Sequence, residues 1–180
     1  MSIIIFDFDD TIFNTRKLKK TIFDKIESLG ISSEIVKNSY EISKKRFNHY
    51  TPDNHISIIN EMSDHDISPK QTAEIKAIDF SLHRNDKIHD ILSSLSKKNH
   101  LILLTIGDQN FQKLKIHKSG ISKYFHEIHI VSDRKEDFIS GRKFTDDVYF
   151  INDKKSENKI IKKMFPNIKV IDFNINKREP

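Results

Sequence analysis

Residues 3–11 read Ile3-Ile4-Ile5-Phe6-Asp7-Phe8-Asp9-Asp10-Thr11. An unbroken apolar run, mostly β-branched, leads straight into acidic positions. Such a run is the pattern of a strand buried on both faces, which needs helices on both sides of a sheet. Asp7 and Asp9 are two residues apart, so in extended geometry their side chains point the same way. The stretch predicts a strand over residues 2–6 that delivers two carboxylates to one end of a sheet.

Outward from this strand, residues 100–105, 127–131, 147–151 and 168–172 repeat the pattern. Helical spacing separates them. Residues 86–97 place Ile88, Ile91, Leu92 and Leu95 on one face. Residues 109–118 turn Phe111, Leu114 and Ile116 inward, with Gly120 as a stop. Residues 155–164 turn Ile160, Ile161 and Met164 inward, and Pro166 follows. The alternation predicts an α/β fold, a Rossmann-like doubly wound parallel sheet. Residues 15–82 break the rhythm. Three helical runs stand there: Leu18, Ile22, Phe23, Ile26 and Leu29; Ile35 to Phe47; and Thr72 to Phe80. Thr51-Pro52-Asp53-Asn54 and Ser68-Pro69 read as breaks, with Ser68 a helix cap. The expected organisation is a core of residues 1–14 and 83–180 and a small α-helical domain, residues 15–82, inserted after the first strand.

The 180 residues are 36% hydrophobic and 32% charged, as in a globular chain. Cysteine is absent, which excludes disulfides, thiolate metal sites and a cysteine nucleophile. No apolar run approaches the roughly 20 residues of a membrane helix. No secretory signal is visible, so the expected setting is the cytoplasm, without a membrane. The net charge is +5 and the pI about 9.2. Lysines are scattered from Lys17 to Lys177, which argues against a dedicated nucleic-acid surface. A positive field also suits anionic phosphate substrates.

The informative polar residues fall past the carboxyl ends of the expected strands, where open α/β sheets bind ligands. Asp7 and Asp9 follow the first, Thr105 closes the second, Lys135 follows the third and Asp153 the fourth. Neighbouring carboxylates repel and want a cation. Oxygen-only donors suit a hard ion such as Mg²⁺. Thr105 can donate to a phosphate oxygen, Lys135 can offset charge on a transferring group, and Asp7 can form an aspartyl-phosphate. Each residue also has a plain structural account. Asp makes turns and caps helices, threonines close strands, lysines are solvated, and Asp153 with Glu157 fits an acidic first helical turn. The case for chemistry rests on their order and placement together.

The chain resembles the haloacid dehalogenase superfamily of phosphatases and phosphotransferases over residues 1–14 and 83–173. The stretch from Ile4 to Thr11 is similar to its first motif, an apolar strand followed by Asp-x-Asp-x-Thr. Leu101 to Thr105, with Gly107, is similar to the second. Lys135 stands where the third motif has its lysine, with Lys143 as an alternative. Val148 to Asp153, with Glu157 beyond, is similar to the fourth. The resemblance implies an Mg²⁺-dependent phosphatase acting on a small phosphomonoester. Asp7 is then the nucleophile, Asp9 the general acid and base, and Thr105 and Lys135 the phosphate-binding pair. The metal is held by Asp7, Asp153 and the backbone carbonyl of Asp9. Asp9 also argues against dehalogenation, because the dehalogenases of the superfamily lack that second aspartate. Two positions depart from the pattern. Asn152 stands where Gly is usual, a residue that tolerates unusual backbone angles. Glu157 stands where Asp is common, and could reach the metal through water or orient Lys135.

In this resemblance residues 15–82 form a cap that sets specificity. Lys44, Lys45, Arg46, His49, Tyr50 and His55 are candidate contacts for a phosphorylated metabolite or nucleotide, and a solvated basic helix accounts for the same residues. His49 and His65 read as loop histidines rather than metal ligands. Two other readings stay open: a phospho-accepting receiver-like signalling domain, and a non-catalytic binding module on the same fold.

Overall fold

A computed structural model describes residues 1–83 and 86–175. The expected core range 83–180 extends over residues 84–85 and 176–180, and these, with Lys177, lie outside the described residues. The chain divides into two compact units, Arg16–Asp79 on one hand and Met1–Thr15 with Phe80–Pro180 on the other.

The first unit is helical, with α1 (Thr15–Glu27), α2 (Ser33–Phe47), α3 (Pro52–Met62) and α4 (Pro69–Lys76). Leu18, Ile22 and Ile26 of α1 are buried at four-residue spacing, which puts them on one face. Ser32 caps α2. Ser68 and Gln71 form a reciprocal capping box at α4. The expected break at Thr51-Pro52 is instead the start of α3. The Thr51 side chain accepts from the Asn54 N–H, and Pro52 takes the first turn, where a missing N–H costs nothing. The unit therefore has four helices, not three, and the run expected from Thr72 to Phe80 ends at Lys76.

α3 also corrects one of the expected substrate contacts. His55 is fully buried. Its Nε2 lies 2.9 Å from the Val36 carbonyl and 2.9 Å from Ser39 Oγ, and its Nδ1 is 3.2 Å from the Tyr50 hydroxyl. Phe23, Tyr40 and Tyr50 surround it. Burial drives its pKa down to about 4, so the ring is neutral and structural.

The second unit is a five-stranded, wholly parallel sheet: β1 (Ile3–Phe6), β2 (His100–Ile106), β3 (Glu127–Val131), β4 (Val148–Asn152) and β5 (Ile168–Asp172). Helices α5 (Asp86–Ser96), α6 (Gln109–Lys118), α7 (Lys135–Ser140) and α8 (Lys155–Met164) make the crossovers. Ile5, Ile102, Leu104, Val148, Phe150 and Ile168 pack one face against Ile139 of α7 and Ile161 of α8. The strand order is β3-β2-β1-β4-β5. Receiver domains wind in the order 2-1-3-4-5, so the receiver reading is set aside. The acid-bearing strand β1 lies at the centre, and all five carboxyl ends share one edge. No helix among the described residues is long and apolar enough to cross a membrane.

Candidate active site

Asp7 leaves β1 at the carboxyl edge and is 3% exposed. Its Oδ1 accepts from Lys135 Nζ at 2.6 Å, and its Oδ2 accepts from the Thr11 hydroxyl at 3.2 Å. Lys135, 1% exposed, opens α7 just past β3. It also reaches Glu157 Oε2 at 2.9 Å and Asn152 Oδ1 at 3.5 Å. Thr11 accepts in turn from the Asp153 N–H at 3.1 Å, so one hydroxyl ties the ends of β1 and β4 together. The chain makes this turn with Asp10 at φ 57°, a backbone that Asp tolerates better than most residues.

The charges are not balanced. Burial pushes the Asp7 carboxyl up; Lys135 opposes this, while Asp9 and Glu157 add to it. Burial likewise raises Asp153 to about 6, helped by Asp7 and Asp10. Its Oδ2 accepts from Asn174 Nδ2 at 3.1 Å, while its Oδ1 is buried without a hydrogen-bond partner. Burial also acts on Glu157, but Lys135 and Lys154 outweigh it and hold the carboxyl low. A buried lone carboxylate oxygen beside a second carboxylate fits a hard cation. Among the described residues no three His, Cys, Asp or Glu side chains gather as a metal cage. Side chains would thus supply two ligands, Asp7 and Asp153, with backbone oxygen and water for the rest, which is the habit of Mg²⁺.

Asp9 belongs to a second wing of the site. Its Oδ1 accepts from Lys115 Nζ at 2.5 Å and from the Thr15 hydroxyl, and its Oδ2 accepts from Gln112 Nε2 at 2.7 Å. Gln112 Nε2 also meets Thr105 Oγ1 at 2.9 Å and the Ile106 carbonyl at 2.8 Å. Thr105 is buried and therefore joined to Asp9 through Gln112. Burial alone would raise the Asp9 carboxyl, but Lys115, Thr15 and Gln112 together hold it below the ordinary value. This wing overturns the expected face of α6. Gln112, Lys115 and Ile116 are the buried residues, while Phe111 and Leu114 are only half-buried.

Structural comparison finds this architecture in many solved proteins. A protein from Burkholderia xenovorans described as a haloacid dehalogenase-like hydrolase superposes with a TM-score of 0.75, at 14% identity over 99% of this chain and 91% of that one. The chain has the haloacid dehalogenase-like fold. A HAD-hydrolase from Bacillus subtilis bound to magnesium matches at 0.56, with 14% identity over 85% of this chain and 78% of that one. An L-2-haloacid dehalogenase from Xanthobacter autotrophicus, with chloropropionic acid covalently bound, matches at 0.58, with 10% identity over 93% and 75%. No family model matches the sequence, and no curated protein matches it.

On this fold, the sequence-named residues fall into two linked groups. Asp7, Lys135 and Asp153 are bound together through Thr11, and Asp9 and Thr105 through Gln112. Lys143 makes no such contact, so Lys135 is the lysine at Asp7. Glu157 orients Lys135 directly. Asn152 does not use the backbone freedom foreseen for it, because the left-handed residue here is Asp10. Its buried side chain instead donates to Asn158 Oδ1 at 3.1 Å and to Glu157 Oε2 at 3.2 Å. Among the proposed contacts of the helical unit, Lys44 and Arg46 are exposed and pair with Glu41 and Glu61. Sequence reasoning missed Gln112 and Lys115. The available signal was the lack of an apolar stripe in Gln109 to Lys118.

Proposed function

We propose that the chain is a Mg²⁺-dependent phosphatase that hydrolyses a small phosphomonoester through an aspartyl-phosphate on Asp7. The reading rests on one observation above all: a buried carboxylate at the end of the central strand, gripped on one oxygen by a buried ammonium and on the other by Thr11. Asp7 attacks phosphorus, and the bond to the ester oxygen breaks. Asp9 gives the leaving alcohol its proton, then takes one from the water that attacks the phosphoenzyme and frees Asp7. Thr105 and Lys135 hold the phosphoryl oxygens. Asp7, Asp153 and the Asp9 carbonyl would hold Mg²⁺, which would supply the positive charge that offsets the repulsion between the carboxylate and the phosphate. A placed proton donor is what an alkoxide leaving group needs, whereas a halide departs without one, so Asp9 favours phosphate esters over haloacids. We assign substrate choice to the helical unit, with a phosphorylated metabolite or nucleotide as substrate and the cytoplasm as the setting that a cysteine-free chain suits.

The test is hydrolysis of para-nitrophenyl phosphate with Mg²⁺ and with EDTA, followed by sugar phosphates, nucleotides and phosphoglycolate-like acids. Turnover that EDTA abolishes is expected. Absence of metal-dependent turnover on every phosphomonoester sinks the proposal. Any measured function left intact by Asp7→Asn points to the binding module instead.

A further inference from the structure

α6 presents a buried cation to Asp9. Lys115 is 5% exposed, and its ammonium sits 5.3 Å from the Phe8 ring centroid and 5.2 Å from that of Phe111. Asp9 is the carboxylate it pairs with among the described residues. Taking an ammonium out of water costs several kcal/mol by rough reckoning, and a buried ion pair is at best a weak stabiliser. A methionine could fill the same space between two rings without that cost. The sheet and its core therefore gain little from a lysine here.

One turn away, Gln112 does the same for the other oxygen. Its amide spans Asp9 Oδ2, Thr105 Oγ1 and the Ile106 carbonyl. The loop entering α6 is shaped around it. A Cβ on Gly107 would stand 2.9 Å from Gln112 Cγ and 2.9 Å from its Nε2, so a side chain at Gly107 would displace the amide. Both oxygens of Asp9 are thus engaged from one helix, and the same helix holds Thr105.

We propose that Lys115 and Gln112 are positioning residues that fix the Asp9 carboxylate, so that the proton donor and Thr105 keep one geometry. The proposal rests on the phosphatase reading, in which Asp9 protonates the leaving group. It separates two substrates of similar shape. Phenyl phosphate has a poor leaving group that needs the proton; para-nitrophenyl phosphate has a good one that hardly does. Loss of Lys115 also lets the Asp9 carboxyl rise, so kcat/KM is compared as its pH-independent limit. In Lys115→Met that limit should fall about 10- to 100-fold for phenyl phosphate and by less than about threefold for para-nitrophenyl phosphate. Lys115→Arg should restore most of the loss. An equal fall on both substrates, or no fall on either, overturns the proposal.

A second measurement does not depend on turnover. In a double-mutant cycle of urea unfolding with Asp9→Asn, Lys115→Met should change the unfolding constant by a factor that differs about tenfold between the two backgrounds. Equal factors overturn the positioning role. If the wild-type chain hydrolyses no phosphomonoester, the phosphatase reading falls, and this cycle still decides whether Lys115 fixes Asp9.

Discussion

The polar clusters around His55 and around Lys135 both lie deep among the described residues, and they are built in opposite ways. Around His55 in the helical unit every partner is neutral, and both ring nitrogens are answered, by Val36, Ser39 and Tyr50. Around Lys135 in the sheet unit the partners are charged, carboxylates crowd together, and one oxygen of Asp153 has no partner. The first arrangement is how a buried polar group is made harmless. The second leaves charge to be completed by something from outside, which is the mark of a site rather than of a core. Substitutions should therefore cost activity in one cluster and stability in the other.

The largest effect is expected at Asp7. Asp7→Asn keeps the shape of the side chain and one acceptor oxygen for Lys135 but removes the nucleophile, so turnover should fall by about 10⁴-fold or more. Circular dichroism should show a folded chain. A collapse of the fold would mean that the Asp7–Lys135 pair holds the sheet together, and the contrast between the clusters would be lost.

His55 should respond in the opposite sense. His55→Ala leaves a cavity and removes the ring's contacts with Val36, Ser39 and Tyr50, at a cost of about 3 kcal/mol in denaturant unfolding. The same residue predicts a pH dependence. Its folded pKa of about 4 lies below its ordinary 6.5, so between those values the unfolded chain binds a proton that the folded chain refuses. Its contribution is fully present above pH 6.5 and is lost as the pH falls through 4, to a total of about 3 kcal/mol. Asp153, raised to about 6, slopes the opposite way over part of that window, so the readout is the difference in stability between the wild type and His55→Ala. That difference should shrink as the pH falls from 6.5 through 4, and a constant difference would break the contrast.

The two clusters also differ in how far the sequence exposed them. Asp7, Thr105, Lys135 and Asp153 were legible because each lies at or just past the end of a strand rich in β-branched and apolar residues, and a parallel sheet gathers strand ends at one edge. Lys115 and Gln112 were not, because a helix is read by its apolar residues and the buried stripe of α6 is largely polar. α3 was hidden for another reason. Thr-Pro-Asp-Asn is the chemistry of a turn and of a capped helix start alike, and only the burial of Ile56, Ile58 and Ile59 decides between them. The role of His55 was invisible too, since the two partners of its Nε2, Ser39 and Val36, lie 16 and 19 residues away.

The unanswered oxygen of Asp153 predicts a ligand effect without any substrate. At about a hundredfold excess over Kd, Mg²⁺ should stabilise the folded chain by about 2.7 kcal/mol, which raises Tm by roughly 5 °C or more. Asp153→Asn should abolish the shift while leaving the chain folded. A shift that survives in Asp153→Asn would put the cation elsewhere and remove the reason for crowding charge at the strand ends.

The smallest effect is expected on the surface of the helical unit. Arg46 Nη1 meets both oxygens of Glu61, at 2.9 and 2.6 Å, yet both side chains are about half exposed. Water screens such a pair, and holding two long side chains still offsets much of the attraction. Arg46→Ala should therefore change stability by no more than about 0.5 kcal/mol and leave KM within about twofold. If KM rose about tenfold with kcat unchanged, Arg46 would be meeting the substrate rather than solvent, since loss of uniform binding reads out in that way. The helical unit would then hold functional charge on its surface while keeping its interior neutral, and the line between the two kinds of cluster would run between surface and core rather than between the two units.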